Sequence, residues 1–196
     1  GIVISIAGIT TLWFSLNPLT AALGILTLFS YILVYTPLKQ RTVANTWFGA
    51  ITGALPPAMG WAAARGQLDW EVLPIFALLY FWQLPHFFAI AWMYRDDYRR
   101  GGFKMISLAD QTGRKTGLQM LVTGVLLFIA SLAVYFIGQG SMVYLAVASL
   151  LGLGFLIVIT LFFRESSVEN ARKVFLASII YLTVLSTVLI LERFFY

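Results

Sequence analysis

Long runs of apolar residues, broken by a few short polar interruptions, make up most of the chain. Seven such segments can be drawn, over residues 1–16, 19–35, 45–64, 72–94, 118–137, 142–163 and 174–191. A spanning helix needs about 20 apolar residues to cross a hydrocarbon core roughly 30 Å thick, so each segment is a candidate span. The runs do not alternate apolar with polar positions, which excludes an outer-membrane barrel. The pattern predicts an all-α fold, a polytopic transmembrane helical bundle built as one domain over residues 1–196. Asn17-Pro18 fits a turn, because proline disfavours helix at the residue before it and suits the first turn of the next helix. Residues 138–141 (Gly-Gln-Gly-Ser) make a second tight connection. Only residues 36–44 and 95–117 form loops long and polar enough to carry chemistry.

Within the spans, polar and helix-breaking residues concentrate in the third and fourth segments. In the fourth, Gln83, His86, Ile90, Met93 and Asp97 share one face at helical spacing. Amide and imidazole groups are costly in hydrocarbon, so Gln83 and His86 are expected to meet a cavity or another helix. The third segment aligns Asn45, Gly49, Gly53, Pro56, Pro57 and Gly60 along nearly one stripe, where small residues allow close helix approach. Pro85 and the Pro56-Pro57 pair predict kinks in two successive helices and a cavity between them.

Composition and charge sharpen this picture. Hydrophobic residues make up 60% of the chain and charged ones 11%, against roughly a quarter charged in soluble domains. There is no cysteine, so disulfides, thiolate metal sites and a cysteine nucleophile are all excluded. Placing the loop after the second span inside leaves eleven of the thirteen Lys and Arg residues on that side, with only Arg65 and Arg193 opposite. The positive-inside rule makes that side cytoplasmic or its equivalent. The net charge of +5 is thus gathered on one end of a membrane protein, which argues against a nucleic-acid partner.

Arg95-Asp96-Asp97-Tyr98-Arg99-Arg100 is the chemically richest stretch. Adjacent carboxylates at a helix end, with arginines beside them and Lys39 and Arg41 in the neighbouring loop, suit a Mg²⁺ ion bridging to phosphate oxygens. The same pattern also fits a solvated ion-pair network.

Together these stretches resemble the UbiA-type membrane prenyltransferases, and within them the haem-farnesylating branch. The matching residues are Tyr35-Thr36-Pro37-Leu38-Lys39-Gln40-Arg41-Thr42 with Asn45-Thr46, the stretch from Gly53 to Trp61, Trp82-Gln83-Leu84-Pro85-His86-Phe87, and Tyr94-Arg95-Asp96-Asp97-Tyr98 with Gly101-Gly102. The resemblance implies nine helices around a central cavity, with Mg²⁺ and a diphosphate held by two aspartate-rich motifs. Only the second motif is matched here, at Asp96 and Asp97; either carboxylate could carry the metal. Seven segments plus two would make nine, so this chain is expected to lack its first two helices and to be inactive as it stands. The implied reaction moves the farnesyl group of farnesyl diphosphate to a vinyl group of haem B, with addition of water, giving haem O for haem-copper oxidases. Lys39, Arg41, Arg95 and Arg99 would neutralise the diphosphate. Tyr35 and Asn45 would bond its oxygens or orient Lys39. His86 would ligate haem iron or position the propionates, with Gln83 and Tyr98 lining the site. The implied setting is a bacterial or mitochondrial inner membrane, and the implied partners are haem A synthase or oxidase assembly factors. A prenyltransferase for a quinone precursor and a membrane transporter are the other readings of the same sequence.

Overall fold

The computed structural model describes residues 1–195. Its elements are α1 (Ile2–Ser15), α2 (Pro18–Phe29), a π-helical stretch (Ser30–Tyr35) leading into α3 (Thr36–Leu38), α4 (Asn45–Arg65), α5 (Val72–Met93), α6 (Arg95–Arg100), α7 (Ile106–Ala109), α8 (Arg114–Phe136), α9 (Met142–Arg164) and α10 (Val168–Phe195). No strand occurs among the described residues.

Five rods are long and apolar enough to cross a membrane: Pro18–Leu38, Val72–Met93, Arg114–Phe136, Met142–Arg164 and Val168–Glu192. The chain is a multi-pass integral membrane protein. Two of the seven expected spans fall short of that standard. α1 has 14 residues, about 21 Å at 1.5 Å per residue. α4 has 21 residues, but Asn45, Thr46, Thr52 and its glycines and prolines dilute its apolar character. α4 and α5 each remain a single helix through their prolines.

α5, α8, α9 and α10 pack into a bundle around Phe88, Leu127, Phe155 and Tyr181, all buried. The hydroxyls inside it are paired: Tyr144 donates to the Ser131 carbonyl at 3.1 Å, and the Ser131 and Tyr181 hydroxyls lie 2.7 Å apart. In lipid such pairing avoids the cost of an unmet polar group. α4 lies against α5, α2 against α4, and α1 against α2, so the chain's first helices extend as a wall from one side of the bundle.

The two ends differ as the basic-residue pattern predicts. At one end the Lys104 N–H donates to the Lys39 carbonyl at 2.9 Å, and Gly113 abuts Ser166. Loops 39–44, 101–113 and 165–167 therefore meet there, and together with the helix ends that flank them they carry most of the Lys and Arg residues. At the other end Asn17 caps α2 by accepting from the Thr20 N–H at 2.8 Å and donates to the Ala62 carbonyl. There too Gln139 donates to the Glu71 carbonyl at 3.1 Å. The side chain of Arg193, assigned to this end, lies outside the described residues.

Gly113 has φ +77°, and a Cβ there would sit 2.2 Å from Ser166 and 2.9 Å from the Trp92 ring. Gly113→Ala is therefore expected to destabilise by about 2 kcal/mol or more, through left-handed strain plus overpacking. Thermal unfolding in detergent checks this; an unchanged midpoint would mean the loops do not meet as described.

Candidate functional site

A cavity of about 530 Å³ opens towards the basic end between the α2–α3 rod, α4, α5 and the loop after α6. Its walls are Tyr31, Tyr35 and Lys39 from the rod, Gly49, Thr52 and Gly53 from α4, Gln83 and Phe87 from α5, and Tyr98, Phe103 and Met105 beyond. The expected space between the third and fourth segments is there.

The rod turns π-helical over its last residues for a local reason. Pro37 has no N–H to give to the Leu33 carbonyl, so a regular α-helical ladder cannot be completed. Instead the Thr36 N–H reaches the Tyr31 carbonyl, and its hydroxyl donates to the same oxygen at 2.9 Å. Such π-turns are often found at functional sites. Here the turn presents Tyr31 and Tyr35, with ring centroids 5.4 Å apart, to the cavity just before Lys39.

The opposite wall is built by a helix stop. After α6 the Gly102 N–H donates to Arg99 and the Phe103 N–H to Tyr98, with Gly102 at φ +70°. This is a Schellman ending, which brings the residue after the glycine back onto the helix. It sets the Phe103 ring edge-on to Tyr98 at 5.7 Å. Lys39 Nζ lies 5.4 Å from the centre of that same Phe103 ring and makes no ion pair among the described residues. Burial raises the Tyr98 phenol above its ordinary range, so it is a protonated donor at neutral pH.

Asn45 is buried and does not line the cavity. Its amide donates to the Thr42 and Lys104 carbonyls, and Lys104 in turn bonds the Lys39 backbone. Of the two roles expected of Asn45, the geometry favours orienting Lys39.

Gln83 and His86 make their hydrogen bonds to different helices. Gln83 donates to the Leu79 and Ala50 carbonyls at 3.0 and 3.3 Å and lies against Gly53, where a Cβ would come within 2.0 Å of its Oε1. It therefore faces α4 and the cavity. His86 instead packs on Trp82 and Phe175, with centroids at 5.0 and 4.9 Å, and its Nδ1 lies 2.8 Å from Ser178 Oγ on α10. The Ser178 hydroxyl donates to the Phe175 carbonyl at 2.6 Å. Its proton is thus committed, which assigns the remaining hydrogen bond to His86 Nδ1–H and leaves the lone pair on Nε2.

The acidic pair stands in the first turn of α6, ahead of Tyr98. Asp96 pairs with Arg99 at 2.7 Å and Asp97 with Arg100, all four side chains largely exposed. Arg41 is exposed in the 39–44 loop at the same end of the bundle. Arg95 lies over the Trp92 ring at 4.3 Å and donates to the Asp110 carbonyl at 3.0 Å, which makes it a brace for the 101–113 loop. Asp110 itself is buried and accepts from the Gly113 and Thr116 N–H groups and the Thr112 and Thr116 hydroxyls. Tyr31, Phe103 and Asp110 were not among the expected site residues. Tyr31, one helical turn before Tyr35, and an aromatic residue directly after Gly101-Gly102 were the available signals.

The arrangement is an aromatic-walled chamber with one lysine at the polar end, beside an exposed set of paired Arg and Asp side chains. It suits an anionic head group with a hydrocarbon body.

Comparison with known proteins agrees. A profile of the UbiA prenyltransferase family matches residues 1–183. The chain is 42% identical over 193 residues to the protoheme IX farnesyltransferase of Solibacter usitatus, covering 98% of this chain and 66% of that one. It is 37% identical to the protein of the same name from Koribacter versatilis, covering 98% and 64%. It is also 40% identical to the mitochondrial protoheme IX farnesyltransferase of Arabidopsis thaliana, covering 90% and 41%. The chain thus spans two thirds or less of the length of these relatives. A solved structure described as giving insight into digeranylgeranylglyceryl phosphate synthase in membranes superposes with a TM-score of 0.80 at 17% identity, over 97% of this chain and 66% of that one. This likeness establishes the fold.

Proposed function

The chain belongs to the UbiA prenyltransferase family, and we propose that the protein transfers the farnesyl group of farnesyl diphosphate to a vinyl group of haem B, giving haem O. The observation that carries this reading is Lys39, without an ion pair among the described residues, at the polar end of an aromatic cavity in a chain similar to protoheme IX farnesyltransferases.

The C–O bond of the allylic diphosphate breaks, and the electron pair leaves with the diphosphate. Lys39, aided by Arg41 and Arg99 at the same end, stabilises that developing charge. The vinyl π electrons then form the new C–C bond to the allylic carbon. Water adds to the cation left beside the porphyrin ring and releases a proton. Tyr31, Tyr35, Phe87 and Phe103 keep other water from the allylic cation, and no protein nucleophile is needed.

Asp96 and Asp97 offer a donor set that suits Mg²⁺, which takes one or two carboxylates and completes its shell with waters and phosphate oxygens. Bound there, Mg²⁺ would supply further charge neutralisation at the diphosphate. No group of three or more His, Cys, Asp or Glu that could hold a metal occurs among the described residues, so substrate oxygens and further residues would complete the site. His86 lines neither the cavity nor the acidic loop and is bonded to Ser178 on α10, so its position supports packing of α5 on α10 over a contact to haem iron or propionates. The basic end would face the cytoplasm or the matrix from an inner membrane.

The deciding assay incubates the full-length protein in detergent or liposomes with haem B and farnesyl diphosphate, and separates haem O by chromatography. Haem O formation is expected; prenylation of 4-hydroxybenzoate instead, with haem B untouched, would overturn the assignment.

A further inference from the structure

Gln83 is the one residue lining the cavity that has a side-chain carbonyl. Its amide nitrogen carries two N–H groups, and both are spent, on the Leu79 carbonyl at 3.0 Å and the Ala50 carbonyl at 3.3 Å. Exchanging nitrogen and oxygen would set the amide oxygen against those two carbonyl oxygens, so the orientation of the group is fixed. Oε1 therefore lies against Gly53, which also lines the cavity. A Cβ at residue 53 would stand 2.0 Å from that oxygen, so only glycine leaves it this place. No N–H or O–H among the described residues donates to it. Gln83 is buried, at 8% exposure, and a buried acceptor without a donor is costly. The oxygen is thus poised for a donor that enters the cavity.

Neither organic substrate of the prenyl-transfer reading above, on which this inference rests, brings that donor. The diphosphate presents acceptors; an iron porphyrin has no free N–H, and its propionates are acceptors too. The third reactant, water, is a donor. We infer that Gln83 Oε1 holds the water that adds to the cation beside the porphyrin ring, and thereby decides that the product is an alcohol. When the allylic carbon bonds the outer vinyl carbon, the positive charge comes to rest on the inner one. A lone pair of the held water forms the C–O bond there, and the proton it sheds passes to the released diphosphate. Oε1 accepts a hydrogen bond from this water and so directs its lone pair; an amide is too weak a base to take the proton itself. Without the held water, the same cation loses a proton from the adjacent carbon, and an alkene forms in place of the alcohol.

The test incubates the full-length protein and its Gln83→Leu, Gly53→Ala and Gly154→Ala variants with haem B and farnesyl diphosphate. Mass spectrometry gives the ratio of haem O to the alkene lighter by one water, alongside the haem B consumed. Gln83→Leu removes the acceptor, and Gly53→Ala displaces it. Both are expected to lower the alcohol-to-alkene ratio by about tenfold or more while haem B is still consumed, since a lost positioning contact commonly costs at least that much. Gly154 lies exposed on α9 with nothing within 4 Å of its Cβ position, and Gly154→Ala is expected to leave the ratio unchanged. A purely structural role for Gln83 would slow haem B consumption at a constant ratio. That result in an active Gln83→Leu or Gly53→Ala protein, or an equal shift in Gly154→Ala, would overturn the inference. So would complete loss of haem B consumption in both cavity variants, which would place Gln83 at C–C bond formation. Should only one of them be inactive, the other decides. No haem B consumption by the unaltered protein would refute the prenyl-transfer reading instead.

Discussion

Lys39→Ala in the full-length protein is expected to lower kcat/KM for farnesyl diphosphate by about a hundredfold or more, the loss typical of removing one preorganised group that stabilises a leaving charge. Lys39 stands at the polar end of the cavity over the Phe103 ring and pairs with no carboxylate among the described residues. Its charge is therefore available to substrate without first breaking an ion pair. The backbone contact from Lys104 N–H to the Lys39 carbonyl survives the substitution. Folding should be little affected, with the thermal midpoint within a few degrees of the unaltered protein. Asp97→Asn should also lose activity, and in addition should need more Mg²⁺ for half-maximal rate. Undiminished haem O from both variants would remove the diphosphate site from this end of the bundle.

Asp110→Ala is expected to be the most destabilising single change in the loops, by about 3 kcal/mol or more, because four donors lose one buried acceptor. Burial pushes this carboxyl up, but the hydrogen bonds from Thr116, Thr112 and Gly113 outweigh it and hold the group below its ordinary value. A depressed folded-state pKa contributes stability that is present above the ordinary carboxylate value of 3.8. That contribution is lost as the pH falls below 3.8 towards the folded-state value. The stability gap between the unaltered protein and Asp110→Asn should therefore be widest near neutral pH and shrink as the solution is acidified. Thermal midpoints measured across that range check it; a gap independent of pH would show that the charge of Asp110 contributes nothing. Since Arg95 donates to the Asp110 carbonyl and Gly113 seats on Ser166, loss of this cap would also loosen the loop that carries Phe103.

Much of the site was legible because helix chemistry is local. Tyr35, Lys39, Gln83 and Tyr98 were expected together and do line one cavity. Each lies in a stretch where proline, glycine or a buried amide departs from the plain apolar pattern, and such departures in lipid need a reason. His86 was less legible. Periodicity placed it on the Gln83 face, yet three residues of helix turn it towards α10 while Gln83 faces α4. Arg95 likewise reads as one of several cations until the Trp92 ring and the Asp110 carbonyl are seen to hold it.

By itself, the sequence determined the all-helical membrane fold, the basic end and the cavity between the third and fourth segments. These follow from hydropathy, charge and backbone chemistry, which act within a few residues of one another. Only the tertiary structure decided which helix each side chain meets, that α1 and α4 fall short of full apolar spans, and that Gln83 turns its carbonyl oxygen towards Gly53. Spacing fixes a residue's angle about its own axis; which neighbour stands at that angle depends on how whole helices pack.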